Sequence, residues 1–338
     1  MSSISEQAIK LGQKCLERVP VVVLGSGASA QYGVGGMKVL EGYLLKNVKP
    51  SDAPETEAWS RFTTDLGTSR DLEQTLHRIQ LPPALEARVV WAARSMVLRD
   101  DLSVFNQFIE GNVRFALTAL LRYLLRSTHQ SVSVVTTNYD RLAEYASDSA
   151  GIGHFTGFSQ GYFRSFESVN RIKQTRQAEI WKVHGSVDWF VDPNGNVLSL
   201  PDAASVPASF SPLLVTPGTG KYQTTHNEPF RTIITQSDAA FADARAIFSV
   251  GYGFRDQHIQ PKLSNRVLKD KVPIIVLART LTNEAKKFLA RCDHPNYLAL
   301  EMAGAGAKAF FAAHPDGIEI PEPIWEFGAF LDATVGEH

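Results

Sequence analysis

Cysteine is nearly absent from this chain: Cys15 and Cys292 are its two, far apart and without His or Cys neighbours at metal-finger spacing. Neither a disulfide framework nor a zinc ribbon can be built from them, and a reducing compartment fits. An excess of charge of one sign is also missing. With 34 basic and 35 acidic residues the net charge is -1, so no global field draws the protein to nucleic acid or anionic lipid, and direct nucleic-acid binding is not expected. No stretch approaches the ~20 apolar residues needed to span a bilayer. Residues 1–10 show no basic segment followed by an apolar one. The expectation is a soluble, cytoplasmic protein without membrane association. What the chain does have is 338 residues, 44% of them hydrophobic, enough to bury a substantial core.

Short β-branched apolar runs bounded by Gly, Asn, Asp or Pro recur at 21–24, 132–136, 180–183, 213–215, 247–250 and 274–277. Each reads as a buried strand rather than a half-exposed one. Helical patterns lie between several of them, at 141–147, 238–247 and 283–291. This alternation predicts an α/β fold: a Rossmann-like, mostly parallel sheet with helices on both faces. From about Glu55 to Ser127 the chain reads as helices alone, with Pro82-Pro83 separating 71–79 from 84–98. Leu117, Leu120, Leu121, Leu124 and Leu125 make one apolar face at helical spacing. Residues 55–127 are thus expected as an all-helical insertion that covers the sheet or acts as a lid. Asp192-Pro193-Asn194-Gly195 is a turn signal between Trp189-Phe190-Val191 and Val197-Leu198, hence a small hairpin. No repeat, low-complexity tract or linker is seen, so residues 1–338 are expected to form a single domain.

The run Val21-Val22-Val23-Leu24 leads straight into Gly25-Ser26-Gly27-Ala28-Ser29. Glycines there let the backbone turn tightly and approach a ligand, while the following helix offers unpaired N–H groups to a pyrophosphate. Many α/β proteins make the same turn with nothing bound. The dehydrogenase fingerprint needs a third Gly or Ala and an acidic residue ending the second strand. Neither condition is met, which argues against hydride chemistry.

The second strand ends in Thr136-Thr137-Asn138-Tyr139-Asp140. Ligands of doubly wound sheets bind beyond the carboxyl ends of the strands, so this cluster falls in the crevice that the glycine turn would line. Asn138 can donate to a ribose hydroxyl or hold a water, and Asp140 can fix the loop or balance positive charge. The simpler alternative is that both cap the helix starting near Arg141. A third strand ends at Lys182-Val183-His184-Gly185-Ser186. An imidazole at that place can serve as a general base near neutral pH. A lone histidine is more often structural, and the chain has 9. His184 stands apart because it ends a strand facing the same crevice.

Together these segments resemble the sirtuin superfamily, and within it the zinc-free sirtuin-like domains of bacterial defence systems. Gly25 to Ser29 is similar to that family's Gly-Ala-Gly-Ala-Ser turn, Thr137-Asn138-Tyr139-Asp140 to its Thr-Asn-x-Asp, and His184-Gly185 to its His-Gly. Pro217-Gly218-Thr219-Gly220-Lys221 resembles its Pro-Pro-Thr-x-x-Lys. Gly251-Tyr252-Gly253-Phe254-Arg255-Asp256-Gln257-His258-Ile259 resembles its Gly-Tyr-Ser run ending in Asp-x-His-Ile. The matches keep family order.

The resemblance implies that Asn138 and His184 are a catalytic pair. It makes Gly25, Ser26, Gly27, Ala28 and Ser29 a pyrophosphate cradle, sets Asp140 at the nicotinamide end, and adds Thr137, Gly185 and Ser186 as cofactor-binding residues. Gly251, Tyr252, Gly253 and Asp256 would meet the adenosine side. NAD is the implied substrate and no zinc is expected. The four-cysteine ribbon of protein-deacylating sirtuins cannot be built here, and Gly35-Gly36-Met37-Lys38 stands where they carry Pro-Asp-Phe-Arg. Water is then the expected acceptor, giving nicotinamide and ADP-ribose. The resemblance also implies antiviral NAD depletion controlled by homo-oligomerisation or by a HerA-type ATPase or Argonaute-like partner. The alternatives are an NAD-dependent deacylase or ADP-ribosyltransferase, and a non-catalytic NAD- or ADP-ribose-binding assembly subunit.

Overall fold

The strand β1 (Val21–Leu24) is buried along its whole length, as an unbroken apolar run must be where helices cover both faces of a sheet. It sits at the centre of a computed structural model that describes residues 3–68, 72–126, 128–167, 176–201, 205–216 and 227–336. The other strands are β2 (Ser131–Thr136), β3 (Gly153–Phe155), β4 (Arg164–Ser165), β5 (Gln177–Lys182), β6 (Gly185–Val191), β7 (Val197–Ser199), β8 (Ser211–Leu214), β9 (Ile247–Val250), β10 (Ile274–Leu277), β11 (Tyr297–Ala303), β12 (Gly306–Phe311) and β13 (His314–Ile320). Among the described residues the larger sheet has the order β13-β12-β11-β10-β9-β1-β2-β5-β3. From β3 across to β11 neighbouring strands are parallel. β12 and β13 add an antiparallel edge. The chain passes from β1 to β2 on one side and reaches β9 on the other, so the order reverses at β1, where open α/β sheets form their ligand crevice. This is the Rossmann-like, mostly parallel sheet that the alternating pattern predicts.

Helices pack on both faces: α1 (Ile4–Leu16), α2 (Ser26–Ala30), α3 (Met37–Asn47), α4 (Ala53–Leu66), α5 (Leu72–Arg78), α6 (Pro83–Ile109), α7 (Ala116–Leu124), α8 (Leu142–Ser149), α9 (Phe230–Asp243), α10 (Gln260–Ser264), α11 (Asn283–Leu289) and α12 (Phe327–Val335). Successive side chains of a strand point to opposite faces, and two apolar clusters result. Val22, Leu24, Val134 and Phe248 meet α1, α3 to α8 and α12, while Val21, Val23, Val135 and Ile247 meet α9, α10 and α11. Among the described residues no helix is long and apolar enough to cross a membrane.

Several expectations shift. Residues 213–215 fall at the end of β8, in a separate antiparallel sheet of order β4-β7-β6-β8, rather than beside the parallel strands. The hairpin of β6 and β7 pairs Phe190 with Leu198 across the Asp-Pro-Asn-Gly turn as expected. The helix expected at 238–247 is α9, which starts earlier and ends at Asp243 because Ile247 opens β9. Between β1 and β2 the described residues are helical or loop, and both α2 and α3 precede the expected start at Glu55. Pro83 opens α6 at its first turn, where a missing N–H costs nothing, and the helix runs on to Ile109. The strands β11 to β13 were not foreseen.

Candidate active site

Backbone register brings the functional turns to one level. Leu24 lies opposite Thr136 on one side and Val250 on the other, and Thr136 lies opposite Lys182. The residues that follow form the wall of a cavity of about 360 Å³. Gly25, Ser26, Ser29, Thr137, Asn138, Asp140, His184, Tyr252, Gly253 and Asp256 all line it. Gly27, Ala28, Gly185, Ser186 and Gly251 do not, and they sit in the layer behind. The segment Pro217 to Lys221 lies outside the described residues.

The glycines serve backbone packing as much as ligand access. A Cβ on Gly25 would lie 2.4 Å from the Gly251 carbonyl oxygen, and one on Gly27 would lie 2.7 Å from the Gly251 Cα. Gly251 in turn has φ +61°, and a Cβ there would lie 2.3 Å from the Ala28 nitrogen. The turns after β1 and β9 therefore interlock main chain to main chain. Gly251→Ala is expected to cost about 1–3 kcal/mol from the left-handed backbone alone, with the overlap adding to it. A thermal melt of the variant unchanged from wild type would contradict the interlock.

Asn138, buried at 9% exposure, does not cap a helix. Its side-chain NH2 donates to the Gly25 carbonyl (2.9 Å) and to Ser29 Oγ (3.0 Å), and its backbone N–H donates to Thr136 Oγ1 (3.0 Å). Both amide donors are thereby used in stitching β2 to the glycine turn, which leaves Oδ1 as the group for a ligand hydroxyl or water. The expectation that Asn138 donates to ribose is corrected accordingly. Asp140 does take the helix-end role: its Oδ1 accepts from Leu142 N (3.2 Å) at the foot of α8. Burial pushes the Asp140 carboxyl up to about 6, against the opposing pull of the Lys182 ammonium and the Ser29 hydroxyl.

His184 lines the cavity with its side chain 12% exposed, and its Nε2 lies 2.8 Å from Asp256 Oδ2. Nε2 is itself buried, and the two atoms are close without the alignment of a hydrogen bond. Asp256 is fixed from behind, its Oδ1 accepting from His258 N (2.9 Å) and Ile259 N (3.0 Å). Asp256 was expected towards the adenosine side, whereas it stands against the imidazole. The His184 carbonyl accepts from Val215 N (2.9 Å), and Tyr139 Oη donates to the Val215 carbonyl (2.8 Å). The end of β8 thus braces both polar turns.

Gly185 and Ser186 serve that bracing. Gly185 has φ +88°, and a Cβ would lie 2.1 Å from the Leu213 carbonyl oxygen. The Ser186 hydroxyl, fully buried, donates to Asp188 Oδ1. Asp188 also accepts from Ser199 Oγ (2.5 Å). Burial works against its charge, yet Lys182, Arg141 and these hydroxyls together hold its carboxyl below the usual range. Lys182, with no exposed side-chain surface, donates to the Asp140 carbonyl and to Glu144 Oε1 (2.9 Å).

The sequence patterns did not reveal the opposite wall. Val34, Gly35, Gly36, Met37 and Leu40 come from the segment leading into α3, and Met96 and Val97 from α6. Gly35 N donates to Asp100 Oδ2 of α6 (3.0 Å), tying that segment to the helix. Arg255 and Thr282 complete the rim. The Gly33-Val34-Gly35-Gly36 cluster was the one local signal for this wall. Among the described residues no group of His, Cys, Asp or Glu is arranged to hold a metal ion.

Residues 132–289, from β2 through α11, match the SIR2-like domain family. No curated protein matches the chain. Solved structures similar to it include a Sir2 homolog–NAD complex, 16% identical, covering 88% of this chain and 89% of its own, with a TM-score of 0.47. A Sir2 enzyme described for its mechanism and regulation is 14% identical over 84% of this chain and 90% of its own, TM-score 0.42. Sir2Tm bound to a propionylated peptide is 12% identical over 81% and 88%, TM-score 0.42. The stretch that carries Asn138, His184 and Asp256 is thus similar in sequence to a SIR2-like domain.

Proposed function

We propose that this protein cleaves the bond between nicotinamide and ribose in NAD and passes the ribose to water, releasing nicotinamide and ADP-ribose. The observation that carries the reading is the convergence of the glycine turn, Asn138 and His184 on one cavity at the reversal point of the sheet. The match of residues 132–289 to a SIR2-like domain supports NAD as the ligand. The cavity suits such a molecule: an apolar wall from α3 and α6 faces a polar wall of turns, as a ligand with an aromatic base and a charged, hydroxylated middle requires.

Breaking this bond builds positive charge on the sugar, so the site must stabilise that charge and take a proton from the attacking hydroxyl. The Asn138 Oδ1 acceptor orients ribose or water, and His184 receives the proton. Asp140, beside Asn138, adds negative charge to the nicotinamide end when ionised. Ser26 and Ser29, which line the cavity beside Gly25, hold the pyrophosphate, while the N–H groups of Gly25, Gly27 and Ala28 are taken by backbone carbonyls. The helices α3 to α7 form the lid within a single domain, and homo-oligomerisation or a HerA-type ATPase or Argonaute-like partner switches on NAD depletion as a defence response.

Proton NMR of purified protein with NAD tests the reading, run with and without an acyl-lysine peptide. Nicotinamide and ADP-ribose appearing together from NAD alone is the expected result. Turnover only with peptide would make the protein a deacylase. Saturable NAD binding with no product under either condition would make it a binding subunit and overturn the proposal.

A further inference from the structure

We infer that Asp256 is the positioning residue for His184, holding the imidazole in the tautomer with its proton on Nε2 so that Nδ1 carries the lone pair into the cavity. The inference deepens the reading of His184 as the base and rests on it. Asp256 is 7% exposed and cannot turn, because its Oδ1 accepts two backbone N–H bonds at the start of the 256–259 turn. Those donors stabilise its negative charge and leave Oδ2 aimed at the imidazole, 2.8 Å from Nε2. Nε2 is buried, so the ring nitrogen left for the cavity is Nδ1. The contact is not aligned as a hydrogen bond, but a carboxylate oxygen this close repels a ring lone pair and attracts a ring proton, and this selects Nε2–H over Nδ1–H. It also stabilises the imidazolium once the ring has taken a proton.

Asp256→Asn reverses this logic with almost no change of shape. The position now held by Oδ1 must accept from His258 N and Ile259 N, so the asparagine carbonyl takes it and the NH2 faces His184. Nε2 must then accept, the ring proton moves to Nδ1, and the base loses its lone pair. The experiment is nitrogen-15 NMR of the histidine ring nitrogens in wild type and Asp256→Asn, with His184→Gln assigning the signal and His258→Ala as a control that keeps the backbone donor. The expected result is Nε2–H in wild type and in His258→Ala, and Nδ1–H in Asp256→Asn. In NAD turnover, Asp256→Asn is expected to lower kcat by ~10²–10⁴-fold while KM stays within about threefold.

An Nδ1–H ring in wild type overturns the inference without recourse to any variant. So does an unchanged tautomer in a folded Asp256→Asn protein, or a kcat retained in that variant. If the tautomers reverse as expected but wild type cleaves no NAD, the hydrolase reading fails and the positioning of His184 by Asp256 stands.

Discussion

His184→Ala is expected to keep the fold and to bind NAD while cleaving it ~10²–10⁴-fold more slowly, the usual worth of a general base. The binding half follows from placement. His184 sits at the end of a strand, and its carbonyl rather than its ring braces β8 through Val215 N. Removing the imidazole therefore leaves the glycine turn, Asn138 and the apolar wall in place. Initial-rate kinetics together with calorimetric titration of NAD separate the two effects. Retention of wild-type kcat would mean the proton goes elsewhere, and Asp140 would become the residue to test. Asn138→Ala should behave differently, raising KM as well as lowering kcat, since its amide also ties β2 to Gly25 and Ser29.

The second large effect is structural. Asp101→Ala should destabilise the protein by about 3–5 kcal/mol, because it strands a buried cation. Asp101 of α6 has no exposed surface and accepts from Arg141 N (2.6 Å), Arg141 Nε (3.1 Å), Arg141 Nη2 (2.6 Å) and Tyr145 Oη (2.7 Å). Arg141 is itself buried. Burial would lower its affinity for a proton, and Asp101 more than offsets that, raising it above the ordinary value. The same helix places Arg94 Nε on the Val187 carbonyl (2.7 Å) of β6 and Met96 and Val97 in the cavity wall. Since Arg141 directly follows Asp140, loss of Asp101 should loosen the polar turn and raise KM for NAD as well as lower the urea midpoint. An unfolding free energy within about 1 kcal/mol of wild type would show that the network contributes specificity rather than stability.

The central strands were legible because each carries its own signal. The runs at β1 and β10 are continuously apolar, and those at β2, β5 and β9 are mostly apolar with single polar residues such as Ser133, Glu179 and Ser249. The pattern is set by burial and is independent of which strand lies next to which. Residues 213–215 carried a similar signal and went to another sheet, since a short apolar run does not specify its partner. The strands β11 to β13 were missed for a related reason. In β12 and β13 Lys308 and Glu319 break up the apolar pattern, because this margin of the sheet faces solvent and tolerates charge, and in β11 the buried Glu301 does so while accepting from Leu281 N.

For the candidate site, residue types at strand ends pointed to Asn138, Asp140 and His184, and all three line one cavity because parallel register carries the strands' C-terminal turns to the same edge. Which atom each presents was not legible. The Asn138 amide is consumed by Gly25 and Ser29, more than a hundred positions away in the chain, and the His184 ring meets a carboxylate from the turn after β9.

By itself, then, the order of residues determined the α/β class, the parallel strands and the polar turns, since these depend on local burial and on period. The tertiary structure alone decided that α3 and α6 close the cavity, that Gly251 locks into the turn after β1, that Asp101 neutralises Arg141 and that Asp256 faces His184. Each of these is a contact between distant segments, and its energy depends on distances that no single stretch of chain contains.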